Sequence, residues 1–215
     1  MTSLPTGEPL VGAVVRLDLL TEADLGALGP LLADPVVYAS GYVMHRRPTT
    51  REDGVAVARE RFLARQRELD GRGGGRTAYA VRLVADSELG SAGTLVGTST
   101  LLEADLANEK VHLGSTLYGS RWWGTAVNPE CKLLLLRHAF VDCGYGRVKL
   151  QTDLLNTRSQ AAITRLGAVR EGVLRRDVRR EDGSWRDTVV FSVLAHEWSQ
   201  VREGLERRTA SPARA

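Results

Sequence analysis

Lys110-Val111-His112-Leu113-Gly114-Ser115-Thr116-Leu117-Tyr118, a run with alternating apolar residues, leads into Arg121-Trp122-Trp123-Gly124-Thr125-Ala126. Asn128-Pro129-Glu130 and the apolar stretch Leu133 to Val141 follow. The first run reads as a strand. The last reads as a helix, capped by Asn128 with Pro129 at its first position. A strand, a tight turn of small residues and a helix start make an anion site. The first amides of a helix have no internal partner, and its dipole places about half a positive charge there. Gly124 and Ala126 let a phosphate approach the main chain closely.

Upstream, Val14 to Leu19 reads as a strand. Thr21-x-x-Asp24 looks like a capping box for a helix carrying Leu25, Leu28 and Leu32, closed at Asp34-Pro35. A second helix starts near Thr49-Thr50, with Val55, Ala58 and Phe62 on one stripe. Asp70 to Gly75 is a Gly-rich loop. Thr77 to Ala85 and Thr94 to Glu103 read as paired strands, and Ala104 to Glu109 as a turn. Downstream, Gly144 ends the central helix, Arg147 to Asp153 is a strand, and Asn156 opens a helix that Gly167 closes. Val169 to Arg180 and Ser184 to Leu194 flank Asp182-Gly183, a hairpin signal. A last helix covers Glu197 to Leu205. The strand after the central helix is expected parallel to the strand before it, with a ligand at their carboxyl ends.

At 215 residues the chain has room for one domain with a substantial core, taken here as 1–206 with a disordered tail from 207 to 215. A 43% hydrophobic and 26% charged composition is that of a soluble globular protein. No apolar run approaches the ~18 residues of a membrane span, and the first residues do not read as a secretory leader, so a cytoplasmic location is expected. Cys131 and Cys143 fall on one helix, about 18 Å apart, too far for a disulfide. They read as reduced thiols outside any metal-ligand spacing. Net charge is +3. Arg175-Arg176 and Arg179-Arg180 are interleaved with acids and read as a solvated hairpin face rather than a nucleic-acid site.

This order, with Arg121-x-x-Gly124-x-Ala126 at a strand–helix junction, resembles the GNAT superfamily of acyl-CoA N-acyltransferases. Asn156-x-x-Ser159 followed by Leu166-Gly167-Ala168 is similar to the family's Asn-x-x-Ser/Ala and Leu-Gly-Phe segment. Glu171-Gly172-Val173-Leu174-Arg175 and the Asp182-Gly183 hairpin into Asp187-Thr188-Val189 resemble the branch containing the RimJ and RimL ribosomal-protein acetyltransferases. The resemblance spans Val14 to Trp198. It implies an α/β (α+β) fold: a central mixed, mostly antiparallel sheet of about seven strands, flanked by helices, with a splayed parallel pair. It also implies N-acetyl transfer from acetyl-CoA to a primary amine, on a small molecule or a protein N-terminus. No metal, nucleic acid or membrane enters, and a homodimer stays open. The alternative is a non-catalytic acyl-CoA-binding regulatory module.

The resemblance places the CoA diphosphate on the loop formed by Arg121, Trp122, Trp123, Gly124, Thr125, Ala126 and Val127. Pantetheine then runs between the strands ending at Tyr118 and Asp153, and Gly114 fits the bulge that splays them. Asn156 either contacts the pantetheine amide or caps its helix. An amine with pKa ~10.4 is only ~0.1% neutral at pH 7, so the reaction needs a base. His112 is the first candidate, on a face shared with Gly114, Thr116 and Tyr118, where the branch usually carries glutamate. It is otherwise a structural histidine. Glu109 is the fallback base. The family's tyrosine acid is replaced by Ile163. Ser159 either bonds the departing sulfur or satisfies the first helical turn. One of Trp122 and Trp123 covers the adenine or walls the acceptor pocket, or both simply pack. Trp185 and Tyr42 are candidate acceptor-cleft residues, and His138 reads as structural.

Overall fold

The computed structural model describes residues 1–39, 47–64, 66 and 75–210. The alternating segments pair into one sheet: β1 (Leu10–Val11), β2 (Val15–Leu19), β3 (Thr77–Leu83), β4 (Leu95–Asp105), β5 (Lys110–Tyr118), β6 (Arg147–Asp153), β7 (Val169–Arg179) and β8 (Trp185–Leu194). Their order across the sheet is β1-β2-β3-β4-β5-β6-β8-β7. Every neighbouring pair is antiparallel except β5–β6. The strand beyond the expected seven is β1, a two-residue edge too short to show a period.

Among the described residues six α-helices cover the sheet: α1 (Leu25–Ala33), α2 (Pro35–Ala39), α3 (Arg51–Ala58), α4 (Val127–Arg137), α5 (Thr157–Leu166) and α6 (Trp198–Ala210). On one face Leu25, Leu28 and Ala58 pack with Ala78, Ala80 and Leu117 of the strands. On the other, Cys131, Leu135 and Val201 meet Val81, Val111 and Leu113. The alternation of β3, with Ala78 and Ala80 on one side and Tyr79 and Val81 on the other, feeds both cores.

Two helix boundaries differ from the sequence reading. Helix α4 starts at Val127 with Ala126 as its cap residue, so Asn128 does not cap it and Pro129 is the third helical residue. The Thr125 hydroxyl donates to Trp122 O at 2.8 Å and accepts the Val127 amide at 3.3 Å, and so shapes the entry instead. Pro129 still fits, because first-turn amides need no intrahelical partner. Helix α6 runs to Ala210, past the boundary drawn at 207, while 211–215 lies outside the described residues. So do Tyr42 and residues 70–74 of the Gly-rich loop.

Glu130 fastens α4 to the sheet edge. It is 4% exposed. Its carboxylate accepts the amides of Ala13, Val14 and Val15 at 2.9, 2.6 and 2.6 Å. Beyond Arg137 the helix widens into a π turn, His138–Asp142, and Gly144 ends it in the left-handed region. His138 Nδ1 contacts Asp142 at 3.0 Å inside this turn, and His138 does not line the cleft between β5 and β6. Cys131 and Cys143 are both free and buried.

Candidate active site

β5 and β6 pair only through Lys110–Arg147, Val111–Val148 and His112–Lys149. Beyond His112 they part, and β6 continues against β8 as far as Asp153–Thr188. A cleft of about 1720 Å³ opens from this fork, with His112 at its apex. The cause lies in β5. Thr98 faces Leu117 and Thr100 faces Gly114, so β5 carries one residue more than β4 there. Ser115 takes up the surplus at φ 45. Such a bulge bends the strand and breaks its alternation.

The bulge also corrects the expected face. His112 and Gly114 share one side. Thr116 and Tyr118 turn to the α4 side, where the Thr116 hydroxyl accepts from Lys132 at 2.7 Å and Tyr118 joins the α4 core. Leu117 packs with the α1 core. Gly114 is not itself the bulge. A Cβ on it would stand 2.6 Å from His112 Nε2, so glycine is what makes room for the imidazole.

His112 is 5% exposed. Its Nδ1 faces Glu103 Oε2 at 3.4 Å, an ion-pair distance without hydrogen-bond alignment. Burial pushes the His112 pKa down, against the pull of Glu103, so the ring is neutral at pH 7. His112 and Lys149 hold the Glu103 carboxyl down at about 2, although burial opposes them. Lys149 Nζ reaches the same carboxylate at 2.6 Å. A carboxylate at Nδ1 favours the tautomer with its proton there, leaving Nε2 as the free lone pair. Nε2 is shielded from solvent and has no partner among the described residues.

The loop supplies fewer free donors than its length suggested. Trp122 N and Trp123 N are spent on Gly119 O and Ser120 O, each at 3.1 Å. The amides of Gly124, Thr125 and Ala126 have no acceptor among the described residues. Gly124 sits at φ 78, a conformation in which its amide can turn into the cleft. Arg121 points away, its guanidinium bonding Leu89 O at 3.0 Å. Val127 is buried in the core. Trp122 packs in that core and bonds Leu89 O through Nε1 at 3.0 Å. Trp123 lines the cleft, with the Arg158 guanidinium 3.2 Å from its ring centroid.

Asn156 caps α5, its Oδ1 accepting Ser159 N at 2.9 Å. Asn156, Ser159 and Ile163 all line the cleft. Glu109 does not. It sits at the closed end of the fork, where its carbonyl accepts Gly146 N and Arg147 N at 2.8 and 3.1 Å. Trp185 is likewise off the wall, 44% exposed and stacked with Arg176.

Sequence reading missed Glu103, Lys149 and Lys132. Lys132 is 6% exposed in the cleft wall. It bonds Thr116 Oγ1 at 2.7 Å and Ser99 Oγ at 3.3 Å, and burial holds its pKa down at about 8. A lone helical lysine reads as solvated until the strands that supply its partners are assembled.

The family model "Acetyltransferase (GNAT) domain" matches residues 15–169. The chain belongs to the GNAT acetyltransferase family. A candidate acetyltransferase from T. thermophilus is 36% identical, with 97% of this chain and 99% of that one covered and a TM-score of 0.78. A GCN5-related N-acetyltransferase from Brucella melitensis shares the fold at 24% identity, covering 97% and 88% with a TM-score of 0.80. Mycobacterium smegmatis RimJ, solved with CoA-disulfide, shares it at 19% identity, covering 93% and 92% with a TM-score of 0.72. No curated protein matches the chain. Among the described residues no helix is long and apolar enough to cross a membrane. In this GNAT chain the open strand pair, the loop of free amides and the histidine at the fork occupy one cleft.

Proposed function

We propose that this GNAT protein transfers an acetyl group directly from acetyl-CoA to a primary amine. The acceptor is a small molecule or, by analogy with the RimJ/RimL branch, a protein N-terminus. One observation carries the reading: the unpartnered Nε2 of His112 stands at the fork where β5 and β6 part, in the same cleft as the free amides of residues 124–126. Those amides and the start of α4 suit a diphosphate. The amine nitrogen attacks the thioester carbonyl carbon, its bond to carbon forms, and the carbonyl electrons move onto oxygen. Main-chain N–H groups at the Ser115 bulge stabilise that oxyanion. His112 Nε2 takes the ammonium proton, directly or through one water. The tetrahedral centre collapses, the C–S bond breaks, and the thiolate leaves beside the Ser159 hydroxyl.

Glu103 is a positioning residue in this scheme. It fixes the His112 tautomer and is too weak a base to serve itself. CoA release, measured with the pure protein against panels of N-terminal peptides, polyamines and aminoglycosides, tests the reading. Turnover with at least one amine class, lost in His112→Ala with acetyl-CoA affinity intact, supports it. A second reading, an acyl-CoA-binding module without turnover, is favoured by Ile163 in place of the tyrosine acid and by the shielding of both His112 nitrogens. Tight acetyl-CoA binding with no turnover in either form decides for it.

A further inference from the structure

Helix α5 carries Arg158 and Arg165 seven residues apart on one side, about 10.5 Å along its axis. Arg158 stacks on Trp123 at the amide loop. Arg165 lies two turns further out, where α6 brings Arg208 against it. Arg208 Nη1 bonds Arg165 O at 3.3 Å. Arg165 and Arg208 both line the cleft. Among the described residues neither forms an ion pair, although the next arginine along, Arg207, reaches Glu203 at 4.0 Å. Burial, and after it the nearby charge of Arg165, push the Arg208 pKa down. Only one of five N–H donors on Arg208 is used by Arg165, so an anion has donors left to engage.

We propose that Arg165 and Arg208 clasp a phosphomonoester, the 3′-phosphate on the ribose of coenzyme A, beyond the site that holds its diphosphate. The inference rests on the acyl-CoA reading and deepens it. A dianion placed between two unneutralised guanidiniums relieves their repulsion and gains charge-assisted, two-pronged hydrogen bonds. The sequence hides the site because Arg165 and Arg208 come from different helices and belong to no motif. The clasp makes the protein discriminate coenzyme A from its 3′-dephospho form.

The test is binding of CoA and of 3′-dephospho-CoA to the full chain, by titration calorimetry at fixed ionic strength. The wild type is expected to prefer CoA by roughly tenfold or more, the range of one good charge-assisted contact. Arg165→Gln with Arg208→Gln is expected to abolish the preference while leaving dephospho-CoA affinity within about twofold. That second number also reports that the double variant is folded. Arg207→Gln removes the same kind of charge one residue away and should leave the ratio unchanged. Equal wild-type affinity for the two ligands overturns the clasp and leaves the acyl-CoA reading standing. So does a preference that survives the double substitution or that falls equally in Arg207→Gln. If neither ligand binds, clasp and acyl-CoA reading fall together.

Discussion

On the wall of the cleft built by α4, α5 and α6, Lys132, Arg158, Arg165 and Arg208 carry positive charge with no ion-paired carboxylate among the described residues. On the wall built by β6 and the β7–β8 hairpin, cations come paired. Arg180 reaches Asp153 at 2.5 Å, with Arg186 in the field of Asp153 and Asp177. Lys149 is tied to Glu103 at the fork. The first wall has unspent cationic potential and suits a polyanionic ligand. The second holds its charge in its own ion pairs, with His112 as the titratable group at the seam. On the proposed acyl-CoA reading, this division would have the acyl donor selected by charge and the acceptor by fit.

The largest expected effect lies at the seam. His112→Ala removes the imidazole at the fork and, if it is the proposed base, should lower kcat by about 10²–10⁴-fold, with acetyl-CoA affinity unchanged. In the wild type, kcat should fall on the acid side with an inflection below 6.5, because burial lowers the His112 pKa and keeps the ring neutral to more acidic pH. An inflection above 6.5, or its survival in His112→Ala, assigns the base elsewhere. Gly114→Ala tests the same atom without removing it. Its Cβ would enter to 2.6 Å of Nε2 and tilt the ring, and on the proposed mechanism the displaced imidazole is expected to cost roughly 10²-fold in turnover while binding holds. Normal turnover would mean that the ring position does not matter.

Much of the donor wall was legible because it is local. A strand, a glycine turn and a helix start are neighbours in the chain, and their backbone chemistry follows from spacing alone. Even there, side chains that reach across from other segments override what spacing implies. Asn128 did not cap, because Thr125 already held the Val127 amide, and Arg121 and Val127 turned away from the cleft. The fork was less legible. One extra residue at Ser115 reversed the sides of Thr116 and Tyr118, and no pattern of period two announces a bulge. Glu109, the fallback base of the sequence reading, sits at the closed end of the fork. The carboxylate that meets the ring is Glu103, delivered by the neighbouring strand.

Two stability measurements probe the donor wall. Glu130→Ala strands three main-chain amides at the base of α4 and should lower unfolding free energy by about 2 kcal/mol, read from the denaturant midpoint. An unchanged midpoint would mean that the edge strand finds other acceptors. Lys132 runs the other way. Its folded pKa is about 8 against 10.5 for the free side chain. A cation depressed in this way weakens the fold fully at pH 7, and the penalty fades as pH rises from 8 to 10.5. Lys132→Met, which leaves Ser99 and Thr116 bonded to each other at 2.7 Å, should therefore stabilise the protein at pH 7 by about 1–2 kcal/mol, with the gain shrinking toward pH 10. A less stable variant at pH 7 would show that the hydroxyls repay the burial of the ammonium.

The smallest effect separates backbone from side chain at the loop itself. Gly124 has φ 78, and a Cβ there would meet nothing within 4 Å. Gly124→Ala therefore adds no clash, and its whole cost is the left-handed conformation, about 1 kcal/mol for an L residue. If the loop amides hold the CoA diphosphate, that strain should emerge as roughly fivefold weaker acetyl-CoA binding, since relaxing φ turns the 124–126 amides out of the cleft. Turnover at saturating acetyl-CoA should be unaffected, the inverse of Gly114→Ala. Should both glycine variants change the same kinetic constant, the division of the cleft into a donor-binding wall and a proton-accepting seam is wrong.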